Sequence, residues 1–246
     1  MKSLLLWVLC AIMLVSIGNT FATEITVVTE QYPPFNYEEA GEVKGISSEV
    51  VRTVLQKVGV NVKIGVYPWA QAYKMATTQP NVLIYSLARF PEREALFKWV
   101  GTIAPLDTYL YKLKSRKDLR IGQIQDITSY RVGVIRDAAD HQYLVKQGFK
   151  NLEVASEYKL NLEKLKAGQV DLLVTQELWF IAMVKSLGLH LEDFEKAYHI
   201  DDLSGEFYMA FSKATPDGLV LQFRQALAKV KAEGTYNKIL RKYLAP

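Results

Sequence analysis

The sequence predicts an α/β chain folded as two lobes around a cleft. Apolar runs of strand length alternate with amphipathic helical patterns, and the alternation comes as two βα series. Between them, Thr108 to Lys114 alternates apolar and polar residues, as a strand exposed on one face does. Half of the 246 residues are hydrophobic, and the roughly 220 left after the leader described below suffice for a sizeable core or two lobes.

In chain order, Ile25 to Thr29 reads as a strand, followed by the rigid loop Tyr32-Pro33-Pro34-Phe35. Ser47 or Ser48 can cap a helix whose apolar face is Val50, Val51, Val54, Leu55 and Val58, with Gly59 closing it. Val60 to Val66 is the next strand, and Pro68 opens a helix carrying Trp69, Ala72, Tyr73 and Ala76. The apolar run Val82 to Tyr85 is a buried strand, and a short helix follows to Phe97. The second series has strands at Arg131 to Ile135, Leu152 to Ala155 and Val170 to Val174. Its helices run Ala138 to Gln147, Leu160 to Ala167 and Glu177 to Leu187, the first two ended by Gly148 and Gly168. A strand at Phe207 to Phe211 precedes helices Asp217 to Ala232 and Thr235 to Leu244, broken at Gly234.

The first residues read as a leader rather than fold. Lys2 gives a positive start, Leu4 to Ile17 is apolar but short of a bilayer span, and Thr20-Phe21-Ala22 offers small residues for cleavage after Ala22. A retained anchor is the other reading. The only cysteine, Cys10, lies inside the apolar run, so the exported chain has no disulfide framework. Net charge falls from +4 to +3 without Lys2, too mild a balance to argue for nucleic acid. The expected organisation is a signal peptide at 1–22, lobe 1 from 23–105, lobe 2 over 106–204, and a return to lobe 1 at 205–246.

Ligands of open α/β sheets bind beyond the carboxyl ends of the strands. Those ends hold Glu30, Tyr32, Trp69, Ser86, Arg89, Arg93, Arg136 and Gln176. Arg89 and Arg93 follow a buried strand and flank Pro91 at a helix start, where forked guanidinium donors and free helix N–H groups suit an anion.

Five segments, in order, resemble the family 3 extracellular solute-binding proteins of the polar amino acid type. Tyr32-Pro33-Pro34-Phe35 with Gly45-Ile46-Ser47-Ser48-Glu49-Val50 is similar to the family opening. Ala88-Arg89-Phe90-Pro91-Glu92-Arg93 resembles its Thr-x-Thr-Pro-Glu-Arg segment. Val132-Gly133-Val134, Leu165 to Asp171, and Gly234 to Tyr243 match the rest. The resemblance covers nearly all of the exported chain. It implies the two-lobe periplasmic binding protein fold of type II, with the ligand cleft between the lobes.

Carried over by position, the resemblance makes Arg93 a bidentate carboxylate contact, with Tyr32 and Trp69 as aromatic walls. Trp69 reads equally as a core residue packed on Tyr73. Ser86 stands where a ligand-bonding serine is common, or merely ends its strand. Several positions depart from the family. Gln176, beside Glu177, replaces an aspartate that takes an ammonium group. Asp137-Ala138-Ala139 replaces the anion-binding hydroxyl turn after Val134, and at the Thr-x-Thr position Ala88 replaces the small hydroxyl, with Arg89 added. Glu30 is then either the missing carboxylate or an exposed strand-end charge. Arg136 is either a third anion contact or a salt-bridge partner at the cleft mouth. Asp137 and Asp140 read as helix caps.

The resemblance implies a periplasmic monomer that takes a small-molecule ligand, uses no cofactor, and serves a membrane permease complex in ABC-type uptake. The ligand expected is a carboxylate-bearing solute, an amino acid or related compound. Two alternatives stay open: a cyclohexadienyl or arogenate dehydratase-like enzyme, with Glu30 or Glu177 as general acid, and a periplasmic sensor input protein. The sequence has no serine hydrolase elbow and no phosphate loop, and His141, His190 and His199 are not at metal-ligand spacing. Leu178-Trp179-Phe180-Ile181 reads as core.

Overall fold

The computed structural model describes residues 24–244; the expected leader and Cys10 lie outside the described residues. The chain opens with β1 (Thr26–Thr29), a hairpin of β2 (Tyr37–Glu39) and β3 (Glu42–Lys44), α1 (Ile46–Val58), β4 (Ile64–Val66) and α2 (Trp69–Thr78). It continues with β5 (Val82–Ala88), the one-turn helix α3 (Pro91–Glu94) and β6 (Phe97–Leu106). A second group follows: β7 (Thr108–Leu113), β8 (Val132–Ile135), α4 (Ala139–Lys146), β9 (Leu152–Ala155), α5 (Tyr158–Lys166), β10 (Leu172–Gln176), α6 (Glu177–Ser186) and β11 (Phe194–His199). The chain ends with β12 (Gly205–Ser212), α7 (Asp217–Ala232) and α8 (Thr235–Leu244).

Two five-stranded sheets result, in the orders β4-β1-β5-β12-β6 and β11-β7-β10-β8-β9. Each has a parallel half built from βα units and an antiparallel half, where β12 pairs with β5 and β6, and β7 pairs with β10 and β11. The lobes are therefore two α/β layers, joined by strands at Leu106–Thr108 and Leu203–Gly205. The two connections bind each other. Ser204 Oγ accepts from the Thr108 amide at 3.0 Å, Thr108 Oγ1 donates to the Leu203 carbonyl at 2.8 Å, and the Ile200 amide donates to the Thr108 carbonyl at 2.9 Å.

Strand β5 is buried at all seven positions, which is why it reads as a continuous apolar run. Leu83 and Tyr85 face the cluster under α1 and α7, while Val82 and Ile84 face α2. Ser86 interrupts this period. It sits at φ 57° as the extra residue of a bulge, since Tyr208 pairs with Leu87 and Met209 with Tyr85. After the bulge Leu87 rejoins the α2 face and Ala88 the other, so the bulge re-aims the approach to the arginine segment.

Several expectations change. Neither Ser47 nor Ser48 caps α1: Gly45 does, and the first helical amides donate to the Pro34 and Phe35 carbonyls at 2.9 to 3.3 Å, so no side-chain cap is needed. Gly45 is required there, because φ is 110° and a Cβ would lie 2.5 Å from the Phe35 carbonyl oxygen. The helix to Phe97 stops at Glu94, and Phe97 instead begins the ten-residue β6. Gly101 and Pro105 mask that strand in the sequence, and two register shifts against β12 accommodate it. β4 is only three residues long, and β7 is buried at four of six positions rather than open on one face. β11 is an edge strand with its own bulge and a charged sequence, so its alternation is weak.

Candidate functional site

The carboxyl ends of β1, β4 and β5 face those of β8, β9 and β10 across the boundary between the lobes. The loop after β1 is pinned from within lobe 1. The Tyr32 amide donates to the Asn36 carbonyl at 2.6 Å, and Asn36 Nδ2 donates to the Glu30 carbonyl at 2.8 Å. Ser86 Oγ donates to Asn36 Oδ1 at 2.5 Å. Ser86 thus clamps the loop that presents Glu30 and Tyr32, and it lines neither cavity described below.

Arg93 is 1% exposed. Its guanidinium carbon lies 4.6 Å from the Phe90 ring centroid, 4.9 Å from Tyr73 and 5.5 Å from Trp69, a cationic plane among aromatic faces. Nη1 donates to the Ala88 carbonyl at 3.3 Å within lobe 1. Nε donates to Gln142 Oε1 at 3.1 Å and Nη2 to the Asp137 carbonyl at 3.1 Å, both in lobe 2. Burial pulls its pKa down to about 10, which leaves it charged at neutral pH.

The Asp137 carbonyl is the meeting point of the two walls. Trp69 Nε1 donates to it at 2.9 Å and Gln142 Nε2 at 3.0 Å, in addition to Arg93. Asp137 itself lies at φ 59°, in the left-handed region, and its amide donates to His141 Nδ1 at 3.1 Å. Ala138, not Asp137, occupies the cap position of α4. Asp140, inside the first turn, accepts the Ile135 amide at 3.1 Å and is 6% exposed. Burial raises its pKa to about 7.

A cavity of about 370 Å³ opens between the walls, bounded by Glu30, Tyr67 and Trp69 from lobe 1 and by Glu157, Tyr158 and Trp179 from lobe 2. A second space of about 40 Å³ is lined by Tyr32, Asp140, Tyr158, Thr175 and Gln176. Tyr32 reaches across from lobe 1. Its ring lies 4.5 Å from Tyr158 and stacks on Trp179 at 5.8 Å, and its hydroxyl is 3.4 Å from Thr175 Oγ1. The Glu30 carboxyl is buried, and among the described residues no hydrogen-bond donor meets it. Burial raises its pKa well above the usual carboxylate range, the Asp140 charge adds to the rise, and Arg93 opposes it.

The structure therefore brings Arg93, Trp69, Tyr32, Glu30 and Gln176 to the cleft and leaves Arg89 and Arg136 outside it. Arg89 is exposed, pairs with Glu94 through Nε at 2.8 Å and Nη2 at 2.6 Å, and lies over Trp99 and Tyr208. Arg136 is exposed, and its amide donates to the Ala155 carbonyl at 3.0 Å. Gln176 caps α6, accepting the Trp179 amide at 2.9 Å, while lining the smaller space. Glu177 pairs with Lys196 away from the cleft. Tyr158, Gln142 and the cleft roles of Asp140 and Trp179 are absent from the sequence reading. Tyr158 carries a usable signal, being the first helical residue beyond the end of β9; Gln142 carries none.

Comparison with known proteins bears on this arrangement. The profile of the bacterial extracellular solute-binding proteins, family 3, matches residues 25–246. A "probable histidine-binding protein" of Campylobacter jejuni is 20% identical over 234 residues, 92% of this chain and 86% of that protein. A histidine kinase sensor domain described as similar to periplasmic binding proteins superposes with a TM-score of 0.77 at 18% identity, covering 90% of this chain and 96% of that one. An ancestral arginine-binding protein bound to arginine gives 0.76 at 20% identity, covering 89% and 97%. At these identities the structural likeness speaks to the two-lobe periplasmic binding protein fold. The family match spans both lobes and the return to lobe 1, and the chain belongs to the bacterial extracellular solute-binding proteins, family 3.

Proposed function

We propose that this protein captures a small carboxylate-bearing solute, an amino acid or related compound, between its closing lobes and delivers it to an ABC-type membrane permease without chemical turnover. The observation that carries this reading is Arg93, buried at the lobe boundary with its Nε and Nη2 edge turned to lobe 2 beside the aromatic cavity. That edge binds a carboxylate through two parallel bonds. Tyr32, Trp69, Tyr158 and Trp179 supply apolar walls, and a volume near 370 Å³ falls in the ordinary range of small-molecule sites, about 300–1,000 Å³. Glu30, lacking a donor, suits a cationic group on the same solute. The histidine-binding and arginine-binding names of the relatives agree with a ligand carrying both charges.

The test is a thermal-shift screen of the chain from residue 23 onward against amino acids, dicarboxylates, short peptides and aromatic acids. The expected hits carry a carboxylate, and Arg93→Ala abolishes them. Hits restricted to apolar or purely cationic compounds defeat the reading.

Glu30 favours one second reading. A buried cleft carboxyl whose pKa is raised well above the usual range is suited to act as a general acid, the group a dehydratase-like activity needs. Incubation with prephenate and arogenate decides it: product formation that Glu30→Gln eliminates establishes the enzyme, and an unchanged substrate excludes it.

A further inference from the structure

The edge of Arg93 that faces lobe 2 already holds two oxygens. Gln142 Oε1 lies 3.1 Å from Nε and the Asp137 carbonyl oxygen 3.1 Å from Nη2. This is the side-on pairing a carboxylate makes with a guanidinium. The two oxygens are tied together, because Gln142 Nε2 donates to the same Asp137 carbonyl at 3.0 Å. Asp137 holds a left-handed backbone conformation, uncommon for a residue other than glycine. Three converging donors, from Trp69, Arg93 and Gln142, hold its carbonyl in that geometry. Both oxygens belong to lobe 2 and their guanidinium partner to lobe 1, so the group bridges the cleft with protein atoms alone.

We propose that Gln142 and the Asp137 carbonyl form a built-in stand-in for a ligand carboxylate. They let lobe 2 close directly onto Arg93, and a carboxylate-bearing solute has to displace them to reach it. Gln142 is then the residue that sets how strongly this cleft favours carboxylates over otherwise matching solutes. A leucine there removes both of its bonds at similar size. A glutamate gives up the Nε2 bond to the Asp137 carbonyl within lobe 2 and sets a charged acceptor against Arg93 across the boundary. Gln142 is half-buried on a helix, so both changes are compatible with the fold.

This inference rests on the solute-capture reading only for its specificity arm, and the experiment separates the two. The chain from residue 23 onward contains both lobes and lacks cysteine, so one label can be placed on each lobe, at Leu221→Cys and Leu160→Cys, both exposed in the native chain. Single-molecule energy transfer without added solute is expected to show a smaller closed fraction for Gln142→Leu and a larger one for Gln142→Glu. Equal closed fractions in the native protein and both variants overturn the proposal, whatever the ligand proves to be. Titration with L-arginine against agmatine, and L-histidine against histamine, reads specificity. For whichever pair binds, the affinity ratio of the amino acid to its decarboxylated partner is expected to rise about tenfold in Gln142→Leu and to fall in Gln142→Glu; an unchanged ratio also overturns it. If none of the four compounds binds, an arginine-like or histidine-like ligand is excluded, while the closure measurement still decides the latch.

Discussion

The two walls of the cleft are built from different parts. Lobe 1 contributes long side chains from the loop after β1 and the first turns of α2 and α3: Tyr32, Trp69 and Arg93, the last two through indole and guanidinium donors. Lobe 2 contributes a backbone carbonyl, a half-buried amide and a short hydroxyl: Asp137, Gln142 and Thr175. The donors that Trp69 and Arg93 send across the boundary therefore meet lobe 2 oxygens. Glu30 is the exception, an acceptor on the donor wall. Its nearest counterpart in charge is Asp140 across the boundary, and burial holds both carboxyls toward the neutral form.

The contrast can be broken most strongly at its centre. Arg93→Ala removes three hydrogen bonds and a fully buried side chain, and is expected to cost about 4 kcal/mol in urea titration. Arg93→Lys should recover little, because an ammonium cannot span two oxygens as a guanidinium does. A loss below about 0.5 kcal/mol for the alanine variant contradicts the donor-wall picture.

Asp140 comes next, and the sign is informative. Its pKa is raised by burial to about 7 in the folded chain, above its unfolded value of about 3.9, so the folded state binds the extra proton. Stability is fully present below about pH 4 and declines as pH rises through about 7. Asp140→Asn, which keeps an acceptor for the Ile135 amide, should be more stable than the native protein at pH 8 by on the order of 3 kcal/mol and equal to it near pH 4. Parallel pH profiles of the two melting temperatures would refute this.

Asp171 sharpens the comparison from outside the cleft. It is also buried, but bonds to Arg131 and Arg116 outweigh burial and hold its carboxyl far below the usual range. Its stabilisation is therefore present above about pH 4 and lost as pH falls. Asp171→Asn should cost about 2 kcal/mol at pH 7, with the difference closing in acid. The smallest effect is expected at Arg89. Its pair with Glu94 is solvent-exposed, so Arg89→Ala should change stability by less than about 1 kcal/mol and leave solute affinity unchanged in calorimetric titration. A lost binding signal would bring Arg89 into the site after all.

Legibility divides along the same line as the walls. The lobe 1 wall could be read because its residues are chemically distinctive and follow recognisable strands: Val82 to Tyr85 announces the arginine segment, and Pro68 announces Trp69. The reading separates Arg89 from Arg93 poorly, because four residues of sequence do not reveal that one turn of α3 and the Ser86 bulge send one side chain outward and the other into the boundary. The lobe 2 wall was largely hidden. Asp137 and Asp140 look like helix caps in a one-dimensional string, and nothing near Gln142 marks it. β6 and β11 escaped for a different reason, since glycine, proline and edge-strand charges erase the alternation that marks a strand.

Hydrophobic periodicity and turn residues by themselves determined the two βα series, the terminal helices and the family resemblance, because these depend on contacts among near neighbours and on a core that any compatible apolar set can fill. What only the tertiary structure decided is which oxygen meets which donor. The bond from Arg93 to Asp137 joins residues 44 apart through a backbone carbonyl, a group every residue carries. Its position depends on one left-handed torsion and on the packing of two sheets, and neither leaves a signature in the order of side chains.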